Sequence, residues 1–335
     1  MTDKERAIFA GIDRLNSIAR SFMGVVVLNA AAELELFTLL EKGPLAPAEV
    51  AQRLELDLRA TEITLRALAG MELLQIEDGK FANSDIAAEF LVRGKPFYQG
   101  DILRHNGNIH RRWIELPQVL RTGRPAAAVP TVEDSGLMRD FILGMKNIAV
   151  LSAGQVAGLI DLAAATRLLD VGGGPGTYAI EFCRLKPELT ATIFDLPQVI
   201  EGITAGQVKD AGLSDRINCV GGDYLKDELP AGFDLVLVSN IIHSLGERDN
   251  RLLFERCRKA ILPGGRIVVK DFLLDDSRVT PGFASMFAVN MLTGTERGNC
   301  YTAEEVKRWL EETGFGGITY LQSGPRDRLL IGRMK

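Results

Sequence analysis

Apolar positions along the first ninety-five or so residues recur at helical spacing, and from residue 167 onward they gather into short runs separated by polar stretches. The spacing predicts a helix over Ala30–Leu40, stopped by Lys42-Gly43-Pro44. Pro47 opens a short helix, Ala48–Leu54. A turn through Leu56-Asp57 leads into a longer one, Arg59–Met71. Leu73–Ile76 and Lys80–Ala82 flank Asp78-Gly79, a turn dipeptide whose flexible glycine suits a tight β-hairpin. Helix, turn, helix and hairpin together form a winged-helix pattern. Residues 97–165 read as connecting helices, interrupted by a Gly/Pro/Ala-rich break at Gly123–Pro130. Strands then alternate with helices at 167–171, 191–195, 217–221, 233–239 and 266–272. A final pair lies near 317–322 and 328–333 with Gly324-Pro325 between them. Alternation of this kind implies an α/β fold with a mostly parallel sheet wound on both faces, and the last pair an antiparallel hairpin on its edge. The expected domains are 1–95, a helical linker at 96–165, and 166–335.

The run Arg167-Leu-Leu-Asp-Val-Gly-Gly-Gly-Pro-Gly-Thr177 carries the most chemistry. A strand ends in clustered glycines, and the next strand, Ile193-Phe-Asp195, ends on a carboxylate. That layout makes a nucleoside pocket at the C-terminal edge of a parallel sheet, where an acid can accept from ribose hydroxyls. Gly172, Gly174 and Gly176 give G-x-G-x-G. The dinucleotide form would need glycine where Thr177 stands, and no G-x-x-x-x-G-K-[ST] run exists. With Asp170 just ahead of the glycines, the expected ligand is S-adenosylmethionine (SAM), leaving S-adenosylhomocysteine (SAH) as product. A plain tight turn is the bland alternative.

Composition narrows the classes. The net charge of -5 argues against a nucleic-acid scaffold. The four cysteines, Cys183, Cys219, Cys257 and Cys300, show no C-x-x-C, so they read as reduced cytosolic thiols and not as a zinc site or disulfide frame. Three histidines are too scattered for an evident metal centre. The N-terminus lacks a signal-peptide core, and the apolar run Phe22–Ala32 is too short to span a bilayer. The expectation is a soluble cytoplasmic protein binding neither membrane nor nucleic acid, with no metal. The winged helix could serve DNA, but its 59–71 helix balances Arg59 and Arg66 against Glu62 after Asp57. A packing or dimerisation role therefore fits better.

Three further segments place reactive groups at the same sheet edge. Gly221-Gly-Asp223-Tyr224 ends the third strand, and Asp223 there is either a turn acid or an acceptor for an adenine amino group. His243 lies just past the fourth strand, where an imidazole can take a proton from a hydroxyl. Asp271, ending the fifth strand, and Glu296, on a later loop, are two acids, either of which could hold one imidazole nitrogen and leave the other free as base. His105 and His110 look like surface or packing residues.

These motifs together resemble the SAM-dependent O-methyltransferases of the caffeic acid and acetylserotonin type, and their bacterial relatives, over nearly the whole chain. Leu169–Gly176 is similar to that family's first SAM motif, Phe194–Ile200 to its ribose-binding strand, Gly222-Asp223-Tyr224 to its adenine-side motif, and Leu262–Val268 to its turn into strand five. The resemblance implies a Rossmann-like class I methyltransferase sheet with an N-terminal winged-helix dimerisation domain, hence a homodimer. It implies cofactor contacts from Asp170, Gly172, Gly174, Gly176, Asp195, Leu196, Asp223, Tyr224, Ser239 and Asn240. It implies His243 as catalytic base supported by Asp271 and Glu296. A planar aromatic acceptor would lie between Phe141/Met145, matching the family's F-x-x-x-M, and a helix bearing Phe283, Met286, Phe287, Asn290 and Met291. That apolar stripe is otherwise ordinary core. Three positions depart from the pattern: Ser244-Leu245 follows the histidine in place of aspartate and an aromatic, Ser239 replaces a lysine, and Asp271 is one carbon shorter than the usual glutamate. C- or N-methylation, for example of a tetrapyrrole-like substrate, and a SAM-sensing winged-helix regulator stay open beside O-methylation.

Overall fold

The computed structural model describes residues 1–125 and 135–335, with the backbone alone at Ser135. Most of the Gly123–Pro130 break therefore lies outside the described residues. The chain divides into two compact units, Met1–Gly107 and Asn108–Lys335. The division falls inside a helix, some way from both expected boundaries, 95/96 and 165/166.

The first unit opens with α1 (Asp3–Arg20) and α2 (Phe22–Glu33). Thr2 caps α1: its hydroxyl accepts from the Glu5 N–H, and the Glu5 carboxylate accepts from the Thr2 N–H. No residue of α1 is buried, and Ile8, Phe9, Ile12, Leu15 and Ile18 all stand exposed. The helix predicted over Ala30–Leu40 is broken, because Glu35 adopts a left-handed φ of 55° and restarts the chain as α3 (Leu36–Leu40). The break is held by side chains: Arg93 and Arg104 pair with the Glu35 carboxylate, and the Thr38 hydroxyl donates to it at 3.0 Å. Helices α4 (Pro47–Arg53) and α5 (Leu58–Gly70) follow, the latter capped by Asp57 Oδ1 accepting from the Ala60 N–H. Strands β1 (Leu74–Glu77) and β2 (Lys80–Asn83) pair antiparallel. Asp78 and Gly79 both have positive φ, at 48° and 77°, which is the turn that a two-residue hairpin loop needs. Leu36, Phe37, Leu40, Val50, Leu65, Leu68 and Phe81 fill the core of this winged helix. The unit continues through α6 (Asp85–Phe90) into α7 (Gly100–Trp113), which crosses the boundary.

The second unit is a seven-stranded sheet built from β3 (Arg167–Val171), β4 (Thr190–Asp195), β5 (Ile217–Gly221), β6 (Phe233–Ser239), β7 (Ile261–Asp271), β8 (Phe315–Gln322) and β9 (Arg328–Met334). Their order is β5-β4-β3-β6-β7-β9-β8, parallel except that β9 runs antiparallel to β7 and β8. Connections step one way from β3 to β4 and β5, and the other way from β6. The switch point between β3 and β6 therefore opens a crevice at their C-terminal ends. Strand β7 starts at Ile261, earlier than predicted, because Ile261 pairs with Phe233 before the register shifts and resumes at Arg266. Pro263 and two glycines had disguised that stretch as a loop.

Before the sheet come α8 (Leu116–Thr122) and α9 (Ser135–Leu159). Between strands lie α10 (Thr177–Leu185), α11 (Pro197–Val199) running on through a wide turn at 200–204 into α12 (Ala205–Asp210), α13 (Glu247–Ala260), α14 (Gly282–Gly294) and α15 (Ala303–Glu312). One face of the sheet packs on Ala153, Val156, Phe182 and Cys183 of α9 and α10. The other packs on Phe254, Cys257, Val306 and Trp309 of α13 and α15. Trp309 is fully buried, with its indole N–H donating to Glu247 at 3.1 Å; truncating it to alanine costs about 3–5 kcal/mol. Among the described residues, Asp3–Glu33 and Gly136–Leu159 are long and apolar enough to cross a membrane by length and composition. The first exceeds the run Phe22–Ala32 considered from sequence because α1 and α2 follow one another almost without interruption. The second is explained by its packing on α10.

Candidate active site

Strand β3 delivers its chain into the crevice as the loop Gly172–Gly176. Gly172 has φ 65°, and a Cβ there would lie 2.5 Å from Ile241 Cδ1. Gly174 has φ 52° with open space where its Cβ would point, so the loop presents bare backbone to a ligand. The loop is pinned from below. The Gly174 N–H donates to Asp195 Oδ2 at 2.7 Å, and the Thr204 hydroxyl donates to the Gly174 carbonyl at 2.6 Å. Asp195 Oδ1 accepts from the Leu196 N–H at 2.7 Å. Burial pushes the Asp195 carboxyl above its ordinary value, partly offset by these two N–H groups. Leu196 packs against a small buried cluster of Ile142, Val199 and Ile203.

Asp170 is more unusual. It is buried, and neither carboxylate oxygen has a hydrogen-bond partner. The Ala179 amide approaches without bonding geometry. Burial first, and then the charge of Asp195, push it up to about 7. A buried acid with two empty acceptors beside an open glycine loop is costly unless a donor or cation arrives. SAM offers an ammonium group for such an acid and ribose hydroxyls for Asp195, so the residues present fit it.

Asp223 and Tyr224 flank the same edge. Asp223 closes a turn on itself: Oδ1 accepts from the Leu225 N–H at 2.9 Å, and Oδ2 pairs with Lys226 at 2.9 Å. Burial would raise it, but Lys226 and the Leu225 N–H hold it below its ordinary value. Burial pushes the Tyr224 phenol up to about 12, and its ring lies 3.5 Å from where a Gly172 Cβ would sit.

Past β6 the chain reverses at Asn240, which has a left-handed φ of 57°. Its N–H donates to the Lys270 carbonyl at 2.8 Å. Its Oδ1 accepts from Lys270 Nζ at 2.7 Å and from the Ser239 hydroxyl at 3.3 Å. Lys270 is 1% exposed and also pairs with Asp327 at 2.8 Å. This reversal leads into a short helical turn, Ile242–Ser244, anchored by the Asn250 amide donating to the Ile242 carbonyl at 3.0 Å. His243 is thereby carried to the end of β7. Its Nδ1 lies 2.7 Å from Asp271 Oδ1, and Asp271 is 1% exposed and also accepts from the Phe272 N–H at 2.7 Å. An ionised Asp271 can only accept, so Nδ1 carries the proton and Nε2 keeps its lone pair. Phe287 of α14 stands edge-on to the imidazole at 4.9 Å, and Phe272 stacks at 6.0 Å, giving an apolar wall beside that lone pair.

Of the two acids weighed for the imidazole, Asp271 meets it. Glu296 does not: it is exposed and, among the described residues, makes no hydrogen bond or ion pair. The loop turns its backbone to the histidine instead. Thr295 Oγ1 accepts from the Gly298 N–H at 2.8 Å, and the Asn299 N–H donates to the His243 carbonyl at 2.9 Å, which leaves the Glu296 side chain facing solvent. Asn290 is buried and its Oδ1 accepts from the Trp113 indole at 3.1 Å. Met291 is buried, Met145 half-buried, and Phe141, Phe283 and Met286 exposed. Sequence reasoning missed Phe272, Trp113 and Lys270. Only Phe272, next to Asp271, carried a local signal. Among the described residues no group of three or more His, Cys, Asp or Glu side chains is placed to hold a metal.

An O-methyltransferase domain family matches residues 121–316, and an O-methyltransferase dimerisation domain family matches residues 16–93. The chain is 34% identical over 306 residues to a 3-hydroxy-5-methyl-1-naphthoate 3-O-methyltransferase of Streptomyces sahachiroi, covering 90% of this chain and 88% of that one. It is 33% identical over 326 residues to the tetracenomycin polyketide synthesis 8-O-methyltransferase TcmO of Streptomyces glaucescens, covering 94% and 95%. The structure superposes on human N-acetylserotonin methyltransferase in complex with SAM with a TM-score of 0.89 at 27% identity, covering 97% of both chains.

Proposed function

This chain belongs to the SAM-dependent O-methyltransferase family, and from that premise we propose that it methylates a hydroxyl on a planar aromatic small molecule with His243 as general base. The observation that carries the assignment of the base is the 2.7 Å contact between His243 Nδ1 and the buried Asp271. The naphthoate and polyketide substrates named for the two Streptomyces relatives support the acceptor class.

The sulfonium of bound SAM supplies an electrophilic methyl group. What this chain must do is bind, orient and deprotonate. A phenol titrates near pH ~10, as tyrosine does, so little phenolate exists at neutrality. Asp271 fixes the imidazole with Nδ1–H inward, and Nε2 takes the hydroxyl proton as the oxygen attacks. The imidazolium that forms is stabilised by the same carboxylate. General-base help of this kind is worth roughly 10²–10⁴-fold. Phe272 and Phe287 hold the ring and exclude water. Asp170 and Asp195 receive the ammonium and ribose groups, and the glycine loop gives close approach. Asp223, Tyr224, Ser239 and Asn240 complete the adenosine side. Neither a metal nor Glu296 has a part in this scheme.

The dimerisation-family match over residues 16–93 supports a homodimer, and the exposed apolar side chains Ile8, Phe9 and Ile12 of α1, just ahead of that match, are the face a second copy would cover. Four free cysteines, three of them buried, suit the reducing cytoplasm. The test is His243→Ala and Asp271→Asn assayed on a panel of hydroxynaphthalenes and phenols, with the product's methylated atom read by mass spectrometry and NMR. The expected result is an O-methyl product, turnover reduced at least ~100-fold in His243→Ala, and SAH binding kept. Near wild-type turnover in that variant would remove the base assignment; an N- or C-methyl product would remove O-transfer.

A further inference from the structure

We propose that Arg112 is a specificity-determining residue that receives a carboxylate on the acceptor, so that the preferred acceptor is an aromatic hydroxy acid. This rests on the transferase reading above and deepens it. Arg112 lies in the last turn of α7, and its guanidinium sits against the last turn of α14: Nη1 would be 3.0 Å from a Cβ placed on Gly294. Glycine at 294 is what leaves room for the guanidinium there.

Among the described residues no acid pairs with Arg112. Its side chain makes no hydrogen bond with them, and its Nε is buried without a partner. Desolvation alone lowers its pKa. Arg112 is half-buried, so a partly desolvated cation without a counter-charge carries a cost there, and the fixed fork of guanidinium donors is shaped for a carboxylate. The other arginine on this helix with an exposed face, Arg111, is already bonded to Asn108 at 2.7 Å.

Position points to the acceptor. Phe287, Asn290 and Gly294 fall three and seven residues apart, on one face of α14. Phe287 touches the His243 imidazole at 4.9 Å, and Asn290 accepts from Trp113, the neighbour of Arg112. The base and the unpaired cation therefore attend the two ends of one helix face, about 10 Å apart along its axis by the helical rise. Fused aromatic rings bearing a hydroxyl towards one end and an acid towards the other suit that interval.

The test compares 3-hydroxy-1-naphthoate with its methyl ester in wild type, Arg112→Met and Arg112→Lys. Wild type should favour the acid in kcat/KM by about 10- to 100-fold, the range of a charge-assisted pair. That preference should fall towards unity in Arg112→Met and lie between in Arg112→Lys, with SAH affinity unchanged. Equal use of acid and ester by wild type would overturn the inference, as would an acid preference kept in Arg112→Met. Loss of SAH affinity in Arg112→Met would overturn it too, by making the cofactor's own carboxylate the occupant. Failure to methylate either compound would count against the transferase reading. The acid-to-ester ratio is then read as Kd on SAH-saturated protein, and the same outcomes decide. If Arg112→Met does not fold, the Arg112→Lys ratio decides alone, because it keeps the charge and loses the fork.

Discussion

Asp170 links burial to cofactor affinity through a single carboxyl. Its value of about 7 in the folded chain stands above the ordinary ~4 of an unfolded aspartate. Between those values the unfolded chain has lost the proton that the folded chain keeps, so cofactor-free stability falls as pH rises from about 4 to 7 and is level above. Cofactor affinity runs the other way, because the ammonium group needs the ionised acid. Asp170→Asn should therefore lose SAH affinity by at least ~10-fold while its thermal midpoint at pH 8 equals or exceeds that of wild type. Calorimetry and thermal unfolding at pH 5 and 8 check both arms; a lower midpoint at pH 8 would mean the carboxylate is structurally required. Gly172→Ala should cost about 1–3 kcal/mol and weaken SAH binding, because it meets both a positive φ and Ile241; urea unfolding measures the first. At this scale the sequence told much. His243 and Asp271 were legible because strand ends in a wound sheet converge. Glu296 does not meet the imidazole because a loop acid's direction depends on hydrogen bonds, here those of Thr295 and Asn299, that no spacing encodes. Trp113 and Arg112 lay in a helix more than 170 positions before the residues they touch, beyond any local pattern.

The elements were read well where their apolar pattern stands alone. The seven predicted sheet strands all exist, and most agree to within a residue or two, since buried runs bounded by Gly, Pro and Asp leave little choice. Two elements were not legible. The break at Glu35 needs Arg93 and Arg104, distant in sequence, and the early start of β7 needs Phe233. A third long-range tie joins β7 to the β9 hairpin: Lys270 pairs with Asp327 and with Asn240, whose left-handed turn carries the chain to His243. Lys270→Met should destabilise by about 3 kcal/mol or more, since it leaves Asp327 unpaired, and Lys270→Met/Asp327→Leu should recover part of that loss. Chemical denaturation of wild type, Lys270→Met, Asp327→Leu and the double variant tests it, and full additivity of the two single losses would contradict the coupling. On α5, Arg66 is already paired with Glu62 at 2.7 Å, leaving little net charge for a phosphate backbone. Fluorescence anisotropy with a random duplex at low salt should show no binding; salt-dependent binding that Arg59→Ala abolishes would revive the regulator.

At the scale of the whole molecule, one chain combines a winged helix that buries none of its first helix with a wound sheet that carries the reactive groups. The two units divide inside α7, a place the sequence does not mark, since a helix running through a boundary shows no linker composition. Phe9→Asp/Ile12→Asp should convert a homodimer to monomer in light scattering, because those side chains stand 57% and 49% exposed on one chain. A mass unchanged from wild type would contradict this assignment of the face. Everything proposed for the sheet depends first on the cofactor, and SAH binding to the purified chain, measured by calorimetry beside Asp195→Ala, is the most direct measurement. The wild type should bind one SAH per chain and the variant should lose it. No binding to wild type, or equal binding to both, would contradict the assignment of the glycine loop and Asp195 as the SAM site.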